Sequence, residues 1–400
     1  MNISLDQVNT LFLAVALLLA GSYLTRKIGF LNRFCIPAPV VGGFLFAIIV
    51  TILKGLNLVE IKMDTSLQSM FMLAFFTTVG LGASFSLVKK GGKLLVIYWL
   101  ICGFLAFLQN TIGVSLAQLL GIHPLLGVMA GAVSMEGGHG GAAAFGKTIE
   151  DLGVDSAITV GMAAATLGLI AGGLVGGPVS KYLITKYNLK PIETDNGKEL
   201  EELEKAFKEE SNLTSSTFIT QVFLITLCMS LGVLLGTYFS KLTGFALPGY
   251  VGAMFVAIIV RNLMEAFKMP HFNLKTTNII GDVSLGIFLS MALMSIQLWE
   301  IVDLALPIFA IIVVQVVAMI LLTIFVAFRL LGKNFDAAIM VGGLAGHGLG
   351  ATPNAIANMD AVTKKYGPSK KAFLIIPIVG AFLVDALYIP IIVGFINFFS

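Results

Sequence analysis

Apolar residues in this chain come in long unbroken runs, not in the short periodic stripes of a water-soluble fold. Ten runs are long enough to cross a bilayer core as helices: residues 8–25, 36–55, 67–88, 94–119, 155–180, 217–239, 247–265, 277–298, 303–328 and 372–398. Two more apolar stretches, 124–147 and 335–358, are crowded with glycine and do not read as plain spans. The first run has no basic segment before it and no small-residue cleavage site after it, so it reads as a retained span, not a cleaved leader.

Basic residues orient the runs. With the N-terminus outside, 21 of the 25 lysines and arginines fall in inner loops, and only Lys54, Lys62, Lys147 and Lys241 stay outside. That bias obeys the positive-inside rule. It holds only if each glycine-rich stretch leaves the membrane by the side it entered, since a full span would invert every later loop. The charges therefore predict two re-entrant segments, both termini outside and a cytoplasmic central loop. That loop, 181–216, reads as a solvated linker with a short helix that places Leu200, Leu203 and Phe207 on one face.

Composition supports the membrane reading. Hydrophobic residues make up 57% of the 400, charged residues only 12%, and the mean hydropathy is +0.96. A soluble domain carries about twice that charge fraction. The net charge of +3 gives no reason to expect nucleic acid as a partner. Cys35, Cys102 and Cys228 lie far apart, in or beside apolar segments, and read as small buried hydrophobes with no metal or disulfide spacing.

The chain repeats itself. Phe34-Cys35-Ile36-Pro37 is echoed by Phe245-Ala246-Leu247-Pro248, Ala47-Ile48-Ile49-Val50 by Ala257-Ile258-Ile259-Val260, and Gly138-His139-Gly140 by Gly346-His347-Gly348. The offsets stay within about 208 to 211 residues, and three matches in one order at one offset are hard to reach by chance. The predicted fold is an all-α polytopic membrane protein with two repeats, 1–180 and 217–400, joined by the 181–216 linker. Each repeat holds five spans and one re-entrant hairpin. An odd number of spans turns the second repeat upside down, an architecture common among transporters.

Candidate chemistry gathers in the hairpins. Broken backbone at membrane depth is tolerated only where protein or a wet cavity satisfies it. A helix starting after a hairpin tip offers free N–H groups to a carboxylate, and a helix ending there offers carbonyls to a cation such as Na⁺. Close packing of helices through small residues is the plainer alternative. Candidate substrate-binding residues are Ser134, Glu136, Gly137, Gly138, His139 and Gly140 in the first hairpin. In the second they are Gly346, His347, Gly348, Thr352 and Asn354, and Asp385 in the last span completes the set. Candidate Na⁺ ligands are Glu136, Thr352, Asn358 and Asp385. A carboxylate at the depth of Asp385 is costly, so function is its default reading. The matched pair His139 and His347 fits a structural role as well as a ligand role. Asp282 and Ser284 are weaker candidates. No cofactor is implied beyond the coupling ion.

Several function classes fall away. No Ser/His/Asp order, His-Glu-x-x-His motif or paired catalytic carboxylates suggest an enzyme, and no P-loop suggests ATP-driven pumping. A secondary transporter and an anion channel both remain. With the spans, the central loop and the motifs Gly137-Gly138-His139-Gly140-Gly141 and Gly346-His347-Gly348-Leu349-Gly350 in view, the whole chain resembles the bacterial glutamate:sodium symporter family. The motifs are shared more loosely by sodium/citrate carriers. Ala345 stands where the first hairpin has Gly137, a departure that the hairpin tolerates. The resemblance implies Na⁺-coupled uptake of L-glutamate through the inner membrane, a homodimer and an elevator-like mechanism. By analogy, spans one, two, six and seven form the scaffold and the rest moves. A carrier of another dicarboxylate, coupled to Na⁺ or H⁺, is the alternative.

Overall fold

Apolar runs become helices because lipid offers no partners to backbone N–H and C=O groups, which a helix satisfies internally. The computed structural model describes residues 2–56, 58–191, 214–269, 272–296 and 303–400. The acidic part of the central loop, with Leu200, Leu203 and Phe207, lies outside the described residues.

The first part of the chain contains α1 (Gln7–Lys27), α2 (Ala38–Gly55), α3 (Ser66–Gly82) and α4 (Phe85–Leu119). A short helix Pro124–Val128, here α5, runs into a π turn Met129–Val133 and is followed by α6 (Gly138–Asp151) and α7 (Ala157–Lys186). After the linker come α8 (Ser215–Thr243), α9 (Gly249–Ala266), α10 (Leu274–Met294) and α11 (Ala305–Leu322). Then follow α12 (Phe335–His347), α13 (Thr352–Tyr366), α14 (Lys370–Ile378), a π turn Val379–Leu383 and α15 (Asp385–Phe399). Both glycine-rich stretches are therefore helix, break, helix.

Eight described helices are long and apolar enough to cross a membrane. Two of the ten expected spans look different. The third is the 17-residue helix α3, because Ala83 and Ser84 are extended and Ser84 caps the next helix by accepting from the Ser86 N–H. That next helix is itself broken at Gly92, whose φ of 65° is left-handed, so the spanning part of α4 starts there. The tenth is a broken pair, α14 and α15, bent by 44° across the π turn after Pro377.

Two short strands were not expected. β1 (Asn2–Leu5) pairs in parallel with β2 (Glu60–Met63), Asn2 opposite Glu60 and Leu5 opposite Met63. Four residues are too few to show a period of two, so the sequence carries no signal for them. Nearby, Gln7 donates to the Ser66 hydroxyl at 2.7 Å, and the Ser66 side chain and N–H hold the Asp64 carboxyl below its usual range. These contacts tie the start of the chain to the start of α3.

Packing divides the helices into two groups. One holds α1, α2, α3, α8, α9 and α10: α2 packs on α1 and α10, while α9 packs on α8 and α3. The pairing is reciprocal, with α1 also touching α10 and α8 also touching α3. Helices α2 and α9 even start alike, each after an extended proline, Pro37 at φ −63°, ψ 143° and Pro248 at φ −57°, ψ 142°. The other group holds both glycine-rich stretches with α4, α7, α11, α14 and α15. Spans three and eight thus pack mainly with spans one, two, six and seven. Side chains such as Phe12 on α1 and Leu234 on α8 are exposed, as lipid-facing residues should be.

Candidate functional site

The two glycine-rich breaks meet. Gly138 opens α6 at φ 56°, a left-handed conformation natural to glycine. A Cβ at this position would lie 3.2 Å from the Gly350 carbonyl oxygen of the second break. Gly137 is equally confined, because a Cβ there would lie 2.9 Å from the Tyr388 hydroxyl of α15. Bare backbone at these positions lets three segments converge.

A cavity of about 470 Å³ opens at the convergence, a size that suits a small solute. Its polar side is built by Glu136, Gly137, Gly138, His139 and Gly140 from the first break, His347 and Thr352 from the second, and Asp385 from α15. The opposite wall comes from the other helix group: Leu18, Phe75, Val79, Leu285 and Leu289, with Asp282 among them. No lysine or arginine is among the lining residues described.

Carboxylates and free N–H groups define its electrostatics. Glu136 is 6% exposed, and neither of its carboxylate oxygens has a hydrogen-bond partner among the described residues. Asp385, half-buried, lines the same cavity. A carboxylate buried without a partner costs free energy until a cation or proton neutralises it. The N–H groups of Gly138, His139 and Gly140 make no backbone hydrogen bond, and Gly141 is the first residue of α6 to bond back, to Gly137 at 2.9 Å. At α13 fewer donors are left, because Pro353 has none and the N–H groups of Asn354 and Ala355 both return to the Ala351 carbonyl. The start of α6 is therefore the stronger seat for a carboxylate.

Other sequence candidates sit away from the cavity. Ser134 donates to the Gly161 carbonyl at 2.8 Å. The Asn354 amide donates to the Leu169 carbonyl at 2.7 Å, and the Asn358 amide to that of Gly172 at 2.9 Å, so both fasten α13 to α7. Gly346 packs against Ala355, and Gly348 against Leu105 and Met319. Both histidines do line the cavity: His139 hydrogen-bonds Thr166 at 3.0 Å, while Nδ1 of His347 is buried with no partner among the described residues.

Sequence reading missed three amides in mid-span. Gln109 and Asn110 on α4 and Gln315 on α11 are almost fully buried. Asn110 accepts from the Ala132 N–H at 2.9 Å, Gln109 donates to the Gly348 carbonyl at 2.6 Å, and Gln315 donates to the Gln109 carbonyl at 2.7 Å. A signal existed: Gln109 and Gln315 are isolated amides in apolar runs, separated by nearly the repeat offset.

Comparison with known proteins adds three findings. A family model described as Sodium/glutamate symporter matches residues 3–368. The sodium/glutamate symporter of Escherichia coli is 42% identical over 386 residues, 95% of each chain, and that of Haemophilus influenzae is 40% identical over 389 residues, 96% of each. Among solved structures, a sodium proton antiporter from Methanocaldococcus jannaschii covers 98% of both chains at 12% identity and a TM-score of 0.43, too distant a likeness to inform the fold.

Proposed function

The chain belongs to the sodium/glutamate symporter family, a family of membrane transporters and not of enzymes, and from that premise we propose that it couples Na⁺ influx to uptake of L-glutamate through the cavity between the two breaks. One observation carries the reading. The cavity is lined by Glu136, Asp385 and Asp282 and by no described lysine or arginine, so an anion enters it favourably only in the company of cations. Obligatory coupling follows from that charge balance.

In this reading Na⁺ arrives first and neutralises the Glu136 and Asp385 pair, with Thr352 and carbonyls at the ends of broken helices as further oxygens. Glutamate then seats one carboxylate on the free N–H groups of Gly138, His139 and Gly140 and the other near Thr352, with its ammonium group toward Asp385. Ser134, Asn354, Asn358 and the amides at Gln109, Asn110 and Gln315 hold the frame. The breaks act as re-entrant hairpins of two inverted repeats, 1–180 and 217–400. The reciprocal packing of α2 on α10 and α9 on α3 supports that symmetry. The helix group that carries the hairpins moves as an elevator against α1–α3 and α8–α10, the latter within a homodimer. The termini face outward and the central loop faces the cytoplasm, in keeping with the lysine and arginine bias.

The test is uptake of radiolabelled L-glutamate into proteoliposomes. An inward Na⁺ gradient should drive accumulation above the outside concentration, and choline in its place should abolish it. Accumulation driven by a pH gradient alone would replace Na⁺ by H⁺ as the coupling ion, and downhill flux indifferent to either ion would make the protein a channel.

A further inference from the structure

We infer that Asp282 determines charge specificity, turning the cavity against doubly charged dicarboxylates in favour of the singly charged amino dicarboxylate. The inference rests on the reading of this cavity as the substrate site. Its basis is the wall opposite the hairpins. Leu18 from α1, Phe75 and Val79 from α3, and Leu285 and Leu289 from α10 make that wall apolar, and Asp282 is its one charged residue among those described. The Asp282 carboxylate makes no hydrogen bond or ion pair among the described residues, and the residue is exposed. Its charge therefore acts on whatever fills the cavity.

The repeat marks the charge as an addition to the fold. Helices α3 and α10 begin at Ser66 and Leu274, and at the repeat offsets of 208 to 211 the residues of α3 set against Asp282, Phe71 to Ala74, carry no charge. The neighbouring Gly281 packs directly on Thr78 of α3, which fixes the backbone that carries Asp282. An acid is thus held on this wall at a place where helix packing itself requires none.

A fixed carboxylate across a water-containing cavity repels a dianion about twice as strongly as a monoanion. For one unit of charge at this range the difference amounts to roughly a 3- to 10-fold change in relative affinity. Glutarate, which is glutamate without its ammonium group, is the direct probe. Glutamate affinity is measured at saturating Na⁺ on purified protein by calorimetry, glutarate affinity by competition, for the wild type, Asp282→Asn and Asp282→Glu. The expected result is a glutarate-to-glutamate Kd ratio that falls roughly 3- to 10-fold in Asp282→Asn, stays near wild type in Asp282→Glu, and differs less between variants when choline chloride is added. An unchanged ratio in Asp282→Asn overturns the inference, and so does loss of glutamate binding in both variants, which would make Asp282 a packing residue. Absence of glutamate binding in the wild type would instead remove the underlying site.

Discussion

Nε2 of Gln109 donates a 2.6 Å hydrogen bond to the carbonyl oxygen of Gly348, so the middle of α4 holds the second break in place. The next residue, Asn110, holds the first break through the Ala132 N–H. Replacing Gln109 by Leu leaves the Gly348 carbonyl buried without its donor, at a cost of about 1–3 kcal/mol. Thermal unfolding of the purified variant should move to lower temperature, and Na⁺-driven uptake should fall at equal membrane abundance. Wild-type values for both would show that the bond positions nothing.

Asp385→Asn and Glu136→Gln should each reduce Na⁺-driven uptake by about 10-fold or more, since each removes a carboxylate on which cation binding depends. Glu136→Gln should also raise stability in Na⁺-free buffer by about 1 kcal/mol, because it removes a buried carboxylate that no partner or bound cation offsets. Uptake assays on inserted protein and melting curves without Na⁺ check the pair. Reduced uptake with reduced stability would recast both carboxylates as structural.

Asn354 and Asn358 are expected to behave as fasteners. Asn358→Ala should cost about 1 kcal/mol, because the hydrogen bond that fastens α13 to α7 at Gly172 is lost. The Na⁺ concentration giving half-maximal uptake should stay at the wild-type value in whatever activity remains. A several-fold rise in that concentration with normal melting would return Asn358 to the ion site.

Gly138→Ala should lose uptake. The left-handed backbone at Gly138 costs an alanine about 1–2 kcal/mol, and the added methyl would press on the Gly350 carbonyl, 3.2 Å away, where the two breaks meet. Gly92→Ala is the control. Its φ is also positive, at 65°, but a Cβ there meets nothing within 4 Å, so a smaller effect on uptake should be seen.

The legible parts of the fold are those that lipid dictates. Long apolar runs report spans because backbone groups have no other partner in hydrocarbon, and runs of glycine such as Gly137-Gly138 report breaks because few other residues tolerate the backbone there. The sequence also picked out Glu136, His139, His347, Thr352 and Asp385, which line one cavity, since polar groups at membrane depth are rare enough to stand out. It could not tell which face of α13 turns inward. Asn354 and Asn358 look like ligands by chemistry, yet one helical turn apart they share the face that packs on α7. The break at Val379–Leu383 was illegible too, because Pro377 and Gly380 lie in an otherwise continuous apolar run. The weight of Asp282 emerges only once α10 is seen to wall the cavity.

The most direct test of the central claim, that this cavity holds an anion only together with cations, is equilibrium binding of L-glutamate to the purified protein in Na⁺ and in choline at equal ionic strength. The account predicts measurable binding in Na⁺, tightening as Na⁺ rises, and none in choline at the same glutamate concentrations. Equal affinity in the two salts would contradict it.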